Sequence, residues 1–307
     1  MSLLDQLLKQ SRLQHKPVVA VAAAADKAVL EAVQKAIEEN IGSFLLFDDE
    51  SKLQELLSAH FPSLTNDANI RIHHTENMTH SAAEAVKAVS SGEAHVLMKG
   101  NVASTIILKE VLHKEYGLRS GKVLSHVAAF EMPGYERLLF VTDAAMNIAP
   151  NLTEKVQIVE NAVATAHACG VTNPIVAPLA AVESVNAAME ATIDAAALAV
   201  MNKRGQIAGC TIEGPLALDN AISPRAAKQK GIESEVAGRA DILVPPTIEA
   251  ANILYKSFMY FGNAKVGAII QGAAAPIVLT SRADSAESKY YSLGLAILTA
   301  KTANDQG

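Results

Sequence analysis

Two rhythms of apolar residues alternate along the chain. Short β-branched runs are separated by longer stretches in which apolar residues recur at helical spacing, the signature of parallel strands joined by crossover helices. The pattern predicts strands near Val18–Val21, Ser43–Phe47, Asn69–Ile72 and His95–Met98. Helices are predicted between and after them at Lys27–Glu39, Ser51–His60 and Ser81–Ser90. Ser81 and Glu84 stand at capping-box spacing, which marks a helix start. A second register begins with strands at Val123–Ala129 and Leu138–Thr142, separated by the turn signal Met132-Pro133-Gly134. It continues with a helix at Thr153–Cys169, a strand at Ile175–Ala177 and a long helix at Val182–Lys203. Strands at Gln206–Cys210, Ile242–Val244 and Lys265–Ile270 follow, with a helix at Thr247–Tyr260. A last apolar strand ends at Thr280, and a helix from about Ser285 to Ala300 closes the pattern.

The chain has 307 residues, which favours two domains. No Pro-, Gly- or Ser-rich linker divides it, so the domains are expected to share continuous elements, with a cleft between them as the default binding site. Half the residues are apolar but only 4% are aromatic, so the cores are aliphatic. The net charge of −6, with no basic block, argues against nucleic acid or an anionic membrane as partner. Cys169 and Cys210 have no metal-ligand spacing and fit a reducing compartment. The segment from Met1 to Gln14 lacks the basic-then-apolar order of a signal peptide, and Glu190 and Asp194 interrupt the Ala-rich stretch 187–200. A cytoplasmic protein with no membrane association is expected.

The chain contains no G-x-S-x-G, no G-x-G-x-x-G after the first strand, no P-loop and no H-E-x-x-H. An enzyme with this sequence could take its nucleophile from the substrate. The most informative segment is Pro276–Glu287, where a strand runs into a helix. Such a junction offers free backbone N–H groups and the positive end of a helix dipole to an anion. Ser281 adds a hydroxyl and Arg282 a planar fork matched to two phosphate oxygens. Alternatively, Asp284 is an N-cap, Glu287 its capping-box partner and Arg282 a surface charge.

Lys99-Gly100 is a second strand end, with charge and backbone freedom, or simply a structural turn. Glu249, Asn252 and Lys256 form a polar helical stripe opposite Ala251, Leu254 and Phe258. That stripe is either solvated or turned to a cleft. Thr142-Asp143 follows an apolar strand, and Arg119 follows Gly117-Leu118; each is a ligand contact or a loop residue. His126 lies in an apolar run and reads as a core histidine. His73 and His74 are adjacent, so in a strand they point to opposite faces and make a poor metal pair.

Taken together these segments resemble the phosphate acetyl- and butyryltransferase family, the butyryltransferases most of all. The resemblance is strongest from Val96 to Leu298. It is carried by Met98-Lys99-Gly100-Asn101-Val102-Ala103, Val141-Thr142-Asp143-Ala144-Ala145-Met146-Asn147, Glu213–Ala221, Gly238–Pro245, Ala251–Lys256 and Ser281-Arg282. It implies two α/β domains with parallel-rich sheets and crossover helices, similar to the isocitrate and isopropylmalate dehydrogenase architecture, with the active site in the interdomain cleft. Residues 1–137 plus 282–307 would form the first domain and 138–281 the second.

The implied reaction is acyl-CoA plus phosphate giving acyl phosphate plus CoA, with a butyryl group. No tightly bound cofactor or metal is implied; CoA is a substrate. A homodimer or larger homo-oligomer is implied as well. The resemblance makes Arg282 a phosphate clamp and Ser281 a donor to phosphate or sulfur, with Asp284 or Glu287 as proton acceptor. Lys99, Gly100, Arg119, Thr142, Asp143, Asn252 and Lys256 become phosphate or CoA contacts. The acetyl-transferring relatives carry an acidic residue where Ser288 stands and a cysteine where Ala144 stands. The alternatives are a phosphate acetyltransferase, a metal- and NAD-dependent dehydrogenase of the same architecture, or a CoA-binding relative without turnover.

Overall fold

A computed structural model describes residues 2–11, 17–234, 236–281 and 284–300. They fall into two compact units, Met1–Lys122 with Gly267–Gly307, and Val123–Val266. The first unit opens with α1 (Leu3–Ser11), β1 (Val18–Ala22), α2 (Lys27–Glu38), β2 (Ser43–Asp48) and α3 (Glu50–His60). β3 (Ile70–His74), α4 (Met78–Ser90), β4 (Val96–Lys99) and α5 (Ser104–Val111) follow. The second unit holds β5 (Ser125–Glu131), β6 (Leu139–Thr142), α6 (Leu152–Ala168), β7 (Ile175–Pro178), α7 (Glu190–Lys203) and β8 (Thr211–Ile212). It ends with α8 (Leu218–Ile222), α9 (Pro224–Gln229), β9 (Ile242–Val244) and α10 (Ile248–Tyr260). The chain then returns through β10 (Lys265–Gln271), β11 (Ile277–Val278) and α11 (Ala286–Thr299) to the first unit.

In the first unit the strands lie in the order β3-β2-β1-β4-β11-β10. All neighbours are parallel except β10 and β11. β1 and β4 are buried almost throughout, which is why they read as continuous apolar runs rather than alternating ones. Ser81, placed at a helix start by spacing, instead sits inside α4, whose N-cap is Asn77. Its buried Oγ accepts the Ala23 N–H at 2.7 Å and donates to Phe47 O at 2.7 Å, satisfying two backbone groups just where β1 and β2 end. α11 is buried from Ser288 to Leu298 and packs on α2 and α1.

The second unit orders its strands β5-β6-β9-β7-β8, parallel apart from the β5–β6 hairpin. Two expectations shift here. The long helix begins at Glu190 rather than Val182, because Thr192 Oγ1 is engaged with Asn186 N and O and holds the preceding turn outside the helix. The strand expected at Gln206–Cys210 is a turn: Gln206 N donates to Met201 O, Gly209 takes φ +74°, and pairing starts only at Thr211.

Candidate functional site

In the first unit, β1, β4 and β11 run side by side, with Ala22 opposite Lys99 and Val278 opposite Met98. Their C-terminal ends are therefore neighbours, the edge at which open α/β sheets present loops to ligands. Gly100 crosses that edge tightly. Its N–H donates to Ala22 O at 2.7 Å, and a Cβ there would lie 2.2 Å from Ala23 O. Only glycine fits this approach.

A cavity of about 50 Å³ opens beside it, lined by Lys99, Gly100, Asn101, Thr280, Ser281, Lys289 and the start of α2. Lys99 is buried, and its Nζ donates to Gly100 O at 3.3 Å and Thr280 O at 3.2 Å. Lys289 is buried too; its Nζ donates to Ser281 O at 3.2 Å and Asp284 O at 2.6 Å. Ser281 is exposed, and its N–H donates to Asp284 Oδ2 at 2.7 Å. The helix cap is Ser285, whose Oγ accepts the Ser288 N–H at 3.1 Å, so neither Asp284 nor Glu287 has the capping role open to it in the sequence. The Asp284 carboxylate is instead bonded to the Ser281 N–H ahead of the helix. Glu287 is exposed and accepts the Tyr291 hydroxyl at 3.2 Å. Arg282 lies outside the described residues.

Thr142, Asp143 and Asn252 belong to a separate cluster within the second unit. Asp143 is buried, and its carboxylate accepts the N–H groups of His126, Ala145, Met146 and Asn147 at 3.0–3.1 Å and Asn147 Nδ2 at 2.6 Å. Five donors fill its acceptor sites and fold the loop after β6. Thr142 Oγ1 donates to His126 O at 2.8 Å. Asn252 Nδ2 donates to Ala144 O at 3.1 Å and ties α10 to the same loop, while Lys256 is exposed on that helix. Arg119, in the first unit, is exposed; its backbone is bridged to Ala273 and it does not line the cavity.

Thus Lys99, Gly100 and Ser281 share one pocket, and Asp284 is bonded to its rim. Sequence reasoning missed Lys289, Thr280 and Asn101 as pocket residues. Lys289 carried a readable signal: it sits in the first residues of a helix, where the dipole disfavours a cation. Burial pushes the Cys169 thiol up to about 12 and the Cys210 thiol up to about 11, so neither is a thiolate nucleophile near neutral pH. Among the described residues, no three His, Cys, Asp or Glu side chains are grouped to hold a metal ion, and no helix is long and apolar enough to cross a membrane.

Comparison with known proteins gives a consistent result. The family model described as phosphate acetyl/butaryl transferase matches residues 50–300. The chain is 54% identical over 294 residues to a probable phosphate butyryltransferase of Bacillus subtilis, covering 96% of this chain and 97% of the relative. Among solved structures, it is similar to a branched-chain phosphotransacylase from Enterococcus faecalis, with TM-score 0.80 and 36% identity over 92% of this chain and 98% of the other.

The dehydrogenase architecture expected from the sequence is corrected by the same comparison. A 4-hydroxythreonine-4-phosphate dehydrogenase from Klebsiella pneumoniae covers 94% of this chain and 100% of its own, but reaches only TM-score 0.55 at 11% identity. The α/β arrangement is therefore that of the phosphotransacylases, not of the isocitrate and isopropylmalate dehydrogenases. Parallel strands with crossover helices are common to many α/β folds and do not distinguish among them. The agreement of the family model, the relative and the solved structure shows that this chain belongs to the phosphate acetyl/butyryltransferase family.

Proposed function

We propose that the chain transfers a butyryl group between coenzyme A and inorganic phosphate, and that the Ser281 turn is where phosphate is held. The observation that carries the reading is the pocket at the β1–β4–β11 edge, where Lys99, Gly100 and Ser281 converge within a family of phosphate acyltransferases. The butyryl preference is supported by the 54% identity to the Bacillus subtilis protein.

In this reading a phosphate oxygen attacks the thioester carbonyl and forms the new C–O bond. The tetrahedral intermediate collapses with cleavage of the C–S bond, giving butyryl phosphate and the CoA thiolate. Two tasks fall to the protein: holding phosphate against the carbonyl, and meeting the oxyanion with donors. Ser281 supplies a hydroxyl, and Arg282, directly after it, a bidentate clamp. In the reverse direction a carboxylate accepts the thiol proton. Asp284 Oδ2 is already bonded to the Ser281 N–H, which leaves Oδ1 for that role. Glu287, exposed one turn away, is the other candidate. Lys99 and Gly100 shape the pocket, while Arg119, Asn252 and Lys256 are assigned to CoA. Thr142 and Asp143 act by folding the loop that Asn252 grips.

The proposed assembly is a homodimer or larger homo-oligomer. The test of function is phosphate-dependent thiol release from butyryl-CoA and acetyl-CoA, with Arg282→Ala alongside. Release that requires phosphate, prefers butyryl-CoA and falls by at least about a hundredfold in the folded variant is expected. Release of equal rate from acetyl-CoA would assign the acetyl reading, and none from either thioester would sink the transferase reading.

A further inference from the structure

The pocket of the first unit contains a cation and a hydroxyl that no step above uses. Lys289 is 4% exposed, and its Nζ has two neutral carbonyl partners, Ser281 O and Asp284 O. Among the described residues no carboxylate pairs with it, so a positive charge is buried against dipoles alone. Such burial is unfavourable unless a counter-charge is present for at least part of the working cycle. An ammonium has three donors, and two carbonyls leave one.

Thr280 lines the same cavity, is 5% exposed, and its Oγ1 has no hydrogen-bond partner among the described residues. A buried, orphaned hydroxyl in a native fold calls for a partner that the described residues do not supply. Among the described residues the one acid on the lining is Asp26, and its carboxylate is engaged as the N-cap of α2, accepting the Val29 N–H at 3.0 Å. Lys99 and Lys289 leave the lining net positive. The cavity of about 50 Å³ also exceeds the ~10–15 Å³ that a single water needs.

We propose that this pocket seats a phosphoryl oxyanion, with Lys289 Nζ and Thr280 Oγ1 as direct contacts. The seat deepens the transferase reading and rests on it only for the source of the oxyanion. That source is either inorganic phosphate, shared with the acyl phosphate formed from it, or the 3′-phosphate of CoA. The charge of Lys289 and the hydrogen-bonding capacity of Thr280 are satisfied by the ligand, which is why the described residues alone leave them unanswered.

The experiment uses the full chain with Thr280→Val, Lys289→Met and Lys289→Arg. Three quantities are read: the KM for phosphate, the ratio of activity on CoA to that on dephospho-CoA in the reverse direction, and the rise in Tm caused by inorganic phosphate without thioester. Thr280→Val is isosteric and removes an unsatisfied group, so its ligand-free Tm is expected to stay level or rise. Its phosphate KM is nonetheless expected to increase about three- to tenfold, a combination that a purely structural threonine does not give. Lys289→Met is expected to raise that KM about tenfold or more, with Lys289→Arg recovering part of it.

Should the change fall on the CoA to dephospho-CoA ratio instead, the seat stands and its occupant is the 3′-phosphate. Wild-type values of all three quantities in Thr280→Val and Lys289→Arg would overturn the seat while leaving the transferase reading intact. A chain that turns over neither thioester, yet loses its phosphate-induced Tm rise in Thr280→Val, would keep the seat and sink the transferase reading.

Discussion

The carboxylate of Asp241 acts as a strand clip in the second unit. Its Oδ2 accepts the Ile175 N–H at 2.9 Å, its own N–H donates to Ile175 O at 2.8 Å, and its carbonyl accepts the Phe140 N–H at 2.7 Å. Arg137 stands 3.5 Å from Oδ1. Burial pushes its pKa above the ordinary 3.8, with the Ile175 N–H and Arg137 opposing. Because the folded state holds this proton more firmly, the group's stabilising contribution is full below the ordinary carboxylate value. It is lost as pH rises through the raised folded value. Asp241→Asn keeps an acceptor for Ile175 and removes the buried charge. It should match wild type in urea unfolding near pH 3 and be the more stable of the two at pH 7. A variant less stable than wild type at pH 7 would show that the Arg137 pair outweighs desolvation. Single residues were unevenly legible in the sequence. Gly100 was read as a strand-end glycine with backbone freedom or a structural turn, and its close approach to Ala22 O and Ala23 O is the use the backbone makes of it. Asp143 was flagged, but nothing local revealed that its carboxylate is filled by donors, since those come from the following turn and from His126 across the hairpin.

At the scale of elements, Ser281, Asp284 and α11 are tied together by side-chain bonds. Ser285 caps the helix, Asp284 accepts the Ser281 N–H, and Lys289 reaches back from the helix to the carbonyls of Ser281 and Asp284. Removing the cap with Ser285→Ala should cost about 1 kcal/mol in thermal or urea unfolding. It should also raise the phosphate KM, because the frayed first turn carries Lys289 with it. A loss of stability with unchanged phosphate KM would mean the turn holds its shape without the helix. Strand and helix rhythms predicted most elements within a few residues, since buried parallel strands and amphipathic helices write their periods directly into the sequence. The failures have local causes. At residues 182–189 an Ala- and Val-containing stretch has helical composition, but side-chain bonds from Thr192 to Asn186 hold it as a turn. At residues 206–210, Gly209 requires a positive φ that a strand does not supply.

At the scale of the whole molecule, the α/β class was readable and the specific architecture was not. Alternating strands and helices predict a parallel sheet, while the difference between a phosphotransacylase and a dehydrogenase lies in element placement that no period encodes. A further whole-molecule property is written on α10. Of its thirteen residues only Ala251 is buried, although Ile, Leu, Phe, Met and Tyr dominate the helix. Ile253 is 66% exposed, Tyr260, seven positions on, 76%, and Phe261, which follows, 87%. Ile148, 70% exposed, carries the carbonyl that accepts the Ile248 N–H at the start of the helix. Side chains of this size clustered on one element are the chemistry expected of a protein-contact surface. In the proposed homo-oligomer a second copy would cover it. Light scattering behind size exclusion should give at least twice the chain mass for the wild type. Burying each such side chain contributes about 1.5–3 kcal/mol, so Ile253→Glu with Phe261→Glu should weaken association on the order of a thousandfold or more and yield folded monomer. A wild-type chain that is monomeric at every concentration would overturn the assembly, and an oligomer unmoved by the double variant would place its interface elsewhere.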